Sequence, residues 1–450
     1  MWQGAPGAVD VYLSAGFDRH DASCHEGVDG TVDSTNCSIY RLRVDTRRDL
    51  ARDVERVAGP GAWMPAVSPD GGRLAYGLHS PGRVGVYVKS LTVDDASVPG
   101  ERVSLADRDA RWPTWRGDDT VLFHAPDATA KCLNPRTRCA GVTDWGDVYA
   151  VQANGGTPEI VLGHGPTAGG MFDHPVVHPT RSSLVASHGR FVQGSVERHP
   201  TCTTKDPRAS VSCGLCPIEG TPNPQVADLE TGQLWWFQVR GVEPERRLDL
   251  AGCAHLDWSP SGKRLLCTEQ DTGDLVEDGA SNRLFAMYFD TSRGEGEGRI
   301  EARPLFTHPP AEEIWDLEKG QSCEQVVHRY AEFCGDDDHV VASVTCACSD
   351  KTCVEDPRED DPITLFSRVF LIDLGKPGSP VYTDLTATVE RAAGLDSGSL
   401  HGVTATCSTR LIDNEGRAGK PPDVGTVVER RDDAPARRGG RGRGGKGARR

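Results

Sequence analysis

Three histidines, His174, His255 and His401, each open a short run of strand-like alternation, and Asp173 and Asp257 lie beside the first two. Imidazoles and carboxylates brought to one pocket can ligate a divalent metal or serve as acid and base. A second group is His199-x2-Cys202-x10-Cys213-x2-Cys216, which has the ligand count of a zinc site. Its spacing differs from paired CxxC knuckles, because only one half carries a close pair. The same residues also read as one disulfide with a leftover thiol, and both readings stay open. Cys213-Gly-Leu-Cys216 lacks the βαβ surroundings of a thioredoxin-like redox pair. Asp336-Asp337-Asp338 has the charge for calcium, but it falls where a turn is expected and reads first as a solvated acidic turn. Gly440 to Lys446 matches P-loop spacing by chance, since Gly447 follows the lysine and no strand precedes it.

The elements that must position the histidines repeat along the chain. "WMPAVSPDGGRLAYGLH" (63–79) aligns with "HLDWSPSGKRLLCTEQ" (255–270), and 112–126, 174–189 and 330–345 are worn copies. With Pro69, Gly117, Pro179, Pro260 and Gly335 as equivalent anchors, the intervals are 48, 62, 81 and 75 residues. Each copy is followed by further strand-like runs, which predicts four short strands per unit with turn residues between them. Proline suits the strand end, and glycine supplies the positive φ of the turn. The column five residues before the anchor holds Met64, Trp112, His174, His255 and Tyr330, with His401 as the candidate sixth.

"SPDGGRLAY" and "WSPSGKRLL" resemble the TolB-type propeller repeat, the PD40 variant of the WD40-like family, over residues 1–410. The resemblance implies an all-β ring of four-stranded antiparallel blades. The count predicts six, or seven were a blade hidden in 290–330. Residues 9–16 and 37–45 read as middle strands of a unit that lacks its innermost strand, and 400–411 could supply it and close the ring. In such a ring the column would line one mouth of the central channel, as rim filling or as a site. Its metal reading rests on His174, His255 and His401. Some family members are propeller halves of serine peptidases, but no Gly-x-Ser-x-Gly elbow is present here.

Fifteen cysteines are many for a reducing compartment. Cys24/Cys37, Cys132/Cys139, Cys202/Cys213/Cys216, Cys323/Cys334 and Cys346/Cys348/Cys353 cluster in polar, turn-rich segments, notably the 199–224 insertion, and read as disulfides that stiffen loops. Cys253 and Cys267 flank the fourth turn, either as a cross-strand disulfide or as buried apolar residues. The compartment is expected to be extracytoplasmic (periplasm, envelope or secreted), with a leader lost from a truncated start. No apolar run is long enough to cross a bilayer as a helix.

The net charge of −16 includes a basic Arg/Gly-rich end from residue 429, within a tail of 411–450 expected to be disordered. So acidic a body argues against nucleic acid as a partner except through that tail. The chain is therefore expected to be a monomeric, non-catalytic scaffold that binds a protein, peptide or glycan at its funnel or loop face. The alternative is a metal-assisted hydrolase or lyase acting on a polysaccharide through the channel-mouth histidines. No cofactor other than such a metal is implied.

Overall fold

The computed structural model describes residues 8–17, 23–26, 32–45, 50–92, 96–105, 110–126, 146–162, 173–189, 223–232, 234–242, 247–249, 253–269, 284–288, 296–305, 314, 325–348, 363–375 and 380–408. They form a six-bladed β-propeller of four-stranded antiparallel blades. From the innermost strand outward, blade 1 is His401–Cys407, Ala8–Gly16, Ser38–Asp45 and Leu50–Ala58. Blade 2 is Ala62–Val67, Arg73–Ser80, Arg83–Ser90 and Glu101–Arg102. Blade 3 is Arg111–Arg116, Thr120–Pro126, Gly146–Gln152 and Glu159–Leu162. Blade 4 is Asp173–Val177, Leu184–Gly189, Asn223–Asp228 and Leu234–Val242. Blade 5 is Cys253–Trp258, Arg264–Glu269, Leu284–Tyr288 and Gly296–Pro304. Blade 6 is Gln325–Phe333, His339–Cys348, Ile363–Asp373 and Val381–Asp384. The 290–330 region supplies the outer strand of blade 5 and the start of blade 6, so the ring has six members and not seven. The outer strands of blades 4 and 5 also pair, in parallel, from Trp235 opposite Gly296 to Gly241 opposite Ala302.

Alternation along each strand feeds two seams at once. In blade 3, Val121 and Phe123 pack toward blade 2 while Leu122 packs toward blade 4. In blade 5, Leu265 and Cys267 face blade 4 and Leu266 faces blade 6. Six hydrophobic clusters result, one for every neighbouring pair of blades, and the pair formed by blades 6 and 1 is included. The ring is closed by packing as well as by pairing.

The turn between first and second strands has the same chemistry in blades 2 and 5. Ser68 Oγ accepts from Arg73 N at 2.9 Å, and Gly71 N donates to Ser68 O at 2.7 Å with φ at 69°. Ser259 and Gly262 repeat it, at 3.1 and 2.7 Å and φ 69°. Each turn then reaches the next blade. Arg73 donates to Asp118 O and Asp119 Oδ1 and lies over the Trp115 ring. Arg264 donates to Asp337 O and lies over the Phe333 ring. Asp337 therefore serves blade joining, since it also accepts from Ser261 N and Oγ, while Asp336 accepts from His339 Nδ1 at 2.8 Å within blade 6.

After blade 6 the chain forms helix α1, Leu385–Ala393, capped by Asp384, whose Oδ1 accepts from Ala387 N at 2.8 Å. Gly394 ends it in the left-handed conformation. Buried Arg368 binds Asp384 and Glu390, and Glu390 accepts from Leu400 N at 2.8 Å. That network sets the path of the chain into the closing strand.

Two disulfides are placed with both partners. Cys24–Cys37 is as the clustering suggested. Cys334 pairs with Cys407, not with Cys323, because the ends of the inner strands of blades 6 and 1 are neighbours across the closing seam. Cys267 and Cys346 are disulfide-bonded too, so Cys267 is not a free apolar filler. Cys253 stands opposite Glu269 in the register, not opposite Cys267. Cys132, Cys139, Cys202, Cys213, Cys216, Cys323 and Cys353, most of the 199–224 insertion, the 411–450 tail and the Trp235–Phe237 side chains lie outside the described residues. Among the described residues no helix is long and apolar enough to cross a membrane, which says nothing of a β-barrel.

Candidate functional site

Met64, Trp112, His174, His255 and Tyr330 all take left-handed backbone conformations, with φ of 49°, 53°, 47°, 50° and 48°. Each sits where the pairing of first and second strands slips by one residue, as between Trp63 and Ala66 or between Ala254 and Asp257. The extra residue is a β-bulge, which bends the strand and re-aims a side chain. Holding a non-glycine residue there costs about 1 kcal/mol or more, so five copies mark a feature that the surrounding packing enforces.

The bulges bring the column together in the middle of the ring. Trp112 contacts His174, His255 and Tyr330 at centroid separations of 3.5, 5.5 and 5.0 Å. His255 lies 4.4 Å from His174 and 4.3 Å from Tyr330. Trp63 joins at 6.1 Å from Trp112, and Trp112 N donates to Met64 Sδ at 3.4 Å. Met64, His174 and Tyr330 are buried. Among the described residues these side chains pack on one another as a plug.

The sixth position belongs to Val403. Gly402 pairs with Ala15 and Thr404 with Ser14, which puts Val403 on the bulge, packed with Met64 and Tyr330. His401 lies two residues earlier, opposite Gly16, where its Nδ1 accepts from Ser367 N at 3.4 Å. Thus five of the six expected channel-mouth residues meet and His401 does not join them. Among the described residues no group of three or more His, Cys, Asp and Glu side chains is placed to hold a metal ion. The Cys24–Cys37 disulfide packs on the plug, with Cys24 Sγ 3.9 Å from His401 O.

Two residues past the plug lie Asp257 and Glu332, at the same repeat position in adjacent blades. Asp257 Oδ2 accepts from Phe333 N at 2.7 Å, and the Glu332 carboxyl hydrogen-bonds the Thr406 side chain. Burial raises the Asp257 carboxyl to about 7 against its bonds from Phe333 N and Trp258 N. Burial, then the Asp257 charge, lift Glu332 well above the ordinary carboxylate range. Sequence reasoning singled out Asp257 but missed Glu332, whose signal was its place two residues after Tyr330 in the worn fifth copy.

The fold and this plugged channel define a six-bladed β-propeller. The chain is similar to TolB from Acinetobacter baumannii, at 10% identity and a TM-score of 0.44, over 90% of this chain and 68% of that one. It is similar also to the structure titled a nidogen/laminin complex, at 9% identity and a TM-score of 0.42, over 89% and 98%. A puromycin-hydrolyzing peptidase of Mycobacterium tuberculosis matches at 15% identity and a TM-score of 0.33, over 69% of this chain and 40% of that one. No family model matches the chain, and no curated protein does.

Proposed function

We propose that the chain is a non-catalytic, extracytoplasmic scaffold that binds a polypeptide partner on the end of the ring where the plug lies. The observation that carries this reading is an asymmetry in the connections. Second and third strands meet at the plug end, as Ala15 opposite Ser38, Pro126 opposite Gly146, Gly189 opposite Asn223 and Cys348 opposite Ile363. The segments that join these ends are long, 17–37, 127–145, 190–222, 270–283 and 349–362, and blade 2 alone makes a tight turn there. At the other end, first and second strands are joined by short turns such as 68–72 and 259–263. Long loops on a rigid ring are where propeller-like scaffolds present recognition surfaces.

Charge narrows the partner. Segments 17–37, 270–283 and 349–362, from blades 1, 5 and 6, carry net charges of −4, −3 and −4, while 127–145 and 190–222 each carry +1. Acidic connecting segments on three adjacent blades suit a basic protein or peptide surface. Replacing 270–283 and 349–362 with short Gly/Ser turns should abolish capture of a partner by the immobilised full chain. Substitution of Arg116, at the other end, should leave it intact. Loss in the Arg116 variant alone would overturn the reading. Thiol titration of native protein tests the compartment, since six described cysteines are bonded and fifteen free thiols would exclude it.

A further inference from the structure

We propose that the cavity between blade 2 and the segment arriving from blade 1 is a binding site for a small organic carboxylate with a compact apolar body. The cavity holds about 380 Å³, a size suited to a small ligand. Its walls come from residues 59–60 of the joining segment, from strand Arg73–Ser80 with the turn after it, and from 96–99. These walls are already fastened. Gly61 N donates to Cys37 O at 2.7 Å and His79 N to Gly61 O at 2.8 Å, which ties the joining segment to both blades. On the other side, Gly100 N donates to Tyr76 Oη at 2.8 Å. Buried Lys89 donates from Nζ to Val57 O at 2.8 Å and to Val98 O at 3.4 Å. A Cβ on Gly100 would lie 2.3 Å from Val88 O, so this wall is held close against the blade. A site with set walls loses little free energy to ordering when a ligand enters.

Two groups at the cavity have hydrogen-bonding capacity to give. Tyr76 is 1% exposed and takes Gly100 N on its phenol oxygen, so its O–H hydrogen is left to donate. Among the described residues no acceptor receives that hydrogen. Arg83 is the one charged residue of the lining, and among the described residues no carboxylate pairs with it. Blade 2 makes a tight turn from Ser80 to Arg83, which leaves Arg83 exposed at the rim. Burial raises the Tyr76 phenol, while the bond from Gly100 and the Arg83 charge work against it. The guanidinium is thus close enough to act on the hydroxyl, and both line one cavity. A carboxylate answers the two together, one oxygen accepting from the phenol and both open to the guanidinium fork. Leu78, Pro60 and Pro99 leave the remaining wall to apolar atoms, and the lining holds no second cation for a dianion. The volume admits a ring or a short chain rather than a folded partner. The site therefore stands apart from the polypeptide surface proposed above and does not depend on it.

A ligand-observed NMR titration of the full chain with phenylacetate, phenylacetamide and acetate, at one ionic strength, tests the site. Phenylacetate should bind with a Kd on the order of millimolar, as its size allows. Phenylacetamide keeps the ring without the charge, and acetate keeps the charge without the ring. Each should bind about ten-fold or more weakly than phenylacetate. Arg83→Ala should weaken phenylacetate about ten-fold or more and Tyr76→Phe about five-fold or more, because each removes a hydrogen bond to a charged group. Arg116→Ala, at the other end of the ring, should leave the Kd within about two-fold. Equal binding of either control probe, or unchanged binding in Arg83→Ala, overturns the proposal. So does the absence of phenylacetate binding to the unaltered chain up to about 50 mM. Should Tyr76→Phe not fold, the probe series and the exposed Arg83 position decide alone.

Discussion

Some single residues in this ring are tied down by charge as well as by apolar packing. Arg368 is buried and meets Asp384 at 3.0 Å and Glu390 at 3.1 Å, the latter carboxylate being 1% exposed. Removing one partner strands the other without water, so Arg368→Met should lower stability by about 3–5 kcal/mol. Arg368→Met with Glu390→Met should lose less, and urea denaturation of the three chains measures the difference. His339 is a different case, its side chain 11% exposed and titratable. Asp336 beside it raises the imidazole above its ordinary value through a hydrogen bond and charge, against the effect of burial. The sign follows: the stabilisation is complete below the unfolded imidazole value and is lost as pH rises through the folded one. An NMR titration of His339 should place its midpoint above that of a solvent-exposed histidine, and Asp336→Asn should bring it down. The Arg368 network was not legible in the residues' order, since Arg368 and Glu390 lie 22 positions apart and carry no motif.

At the scale of elements, local chemistry was legible and cross-blade chemistry was not. Ser-Pro-Asp-Gly at 68–71 announces its turn because the hydrogen bonds that shape it, from Ser68 Oγ to Asp70 and from Gly72 N and Arg73 N back to Asp70 and Ser68, are local in the chain. The Arg that follows reads as an ordinary strand-opening residue, yet Arg264 reaches into the next blade at Asp337 and the Phe333 ring. Hydrogen bonds to charged groups add about 1.5–3 kcal/mol, so Arg264→Ala should destabilise the chain by about 2 kcal/mol in urea. Arg264→Lys should recover part of this, as a point charge without the planar fork. The column of plug residues was legible because the repeat register carries it through five copies. Its sixth member was misplaced for a physical reason. A bulge puts an additional residue into each inner strand, and in blade 1 the strand came from the far end of the chain with no anchor turn after it. Counting therefore fell on His401, two residues short of Val403. Gly402, between them, shows how tight the place is. A Cβ there would lie 2.5 Å from Thr386 Oγ1 and 2.9 Å from Val369 N.

The whole molecule depends on how its two chain ends are joined. The innermost strand of blade 1 comes from 401–407 and pairs with 8–16, so every later blade is held in a ring only while that strand stays in place. Three kinds of interaction act on it: pairing to Ala8–Gly16, the cluster that contains Ala405 and Cys407, and the Cys334–Cys407 bond. The ring could be foreseen from the missing strand, but the bond could not. Cys323 lies closer to Cys334 in the chain, and only the circular arrangement of blades makes Cys407 its neighbour. The bond closes a loop over a sequence separation of 73 residues. In the chain-entropy account such a loop restrains the unfolded chain by roughly 4 kcal/mol at 25 °C. Cys334→Ser with Cys407→Ser should therefore lower the urea-derived stability by about that much while the far-UV spectrum keeps its β-sheet form. The Cys24–Cys37 loop spans only 13 residues, and its removal should cost about 3 kcal/mol on the same reckoning. The two variants separate in kind as well as size. Loss of Cys334–Cys407 should raise exchange of the 401–407 amides, whereas loss of Cys24–Cys37 should act first on the plug it covers. Equal exchange at 401–407 in both variants would mean that the seam is held by packing alone.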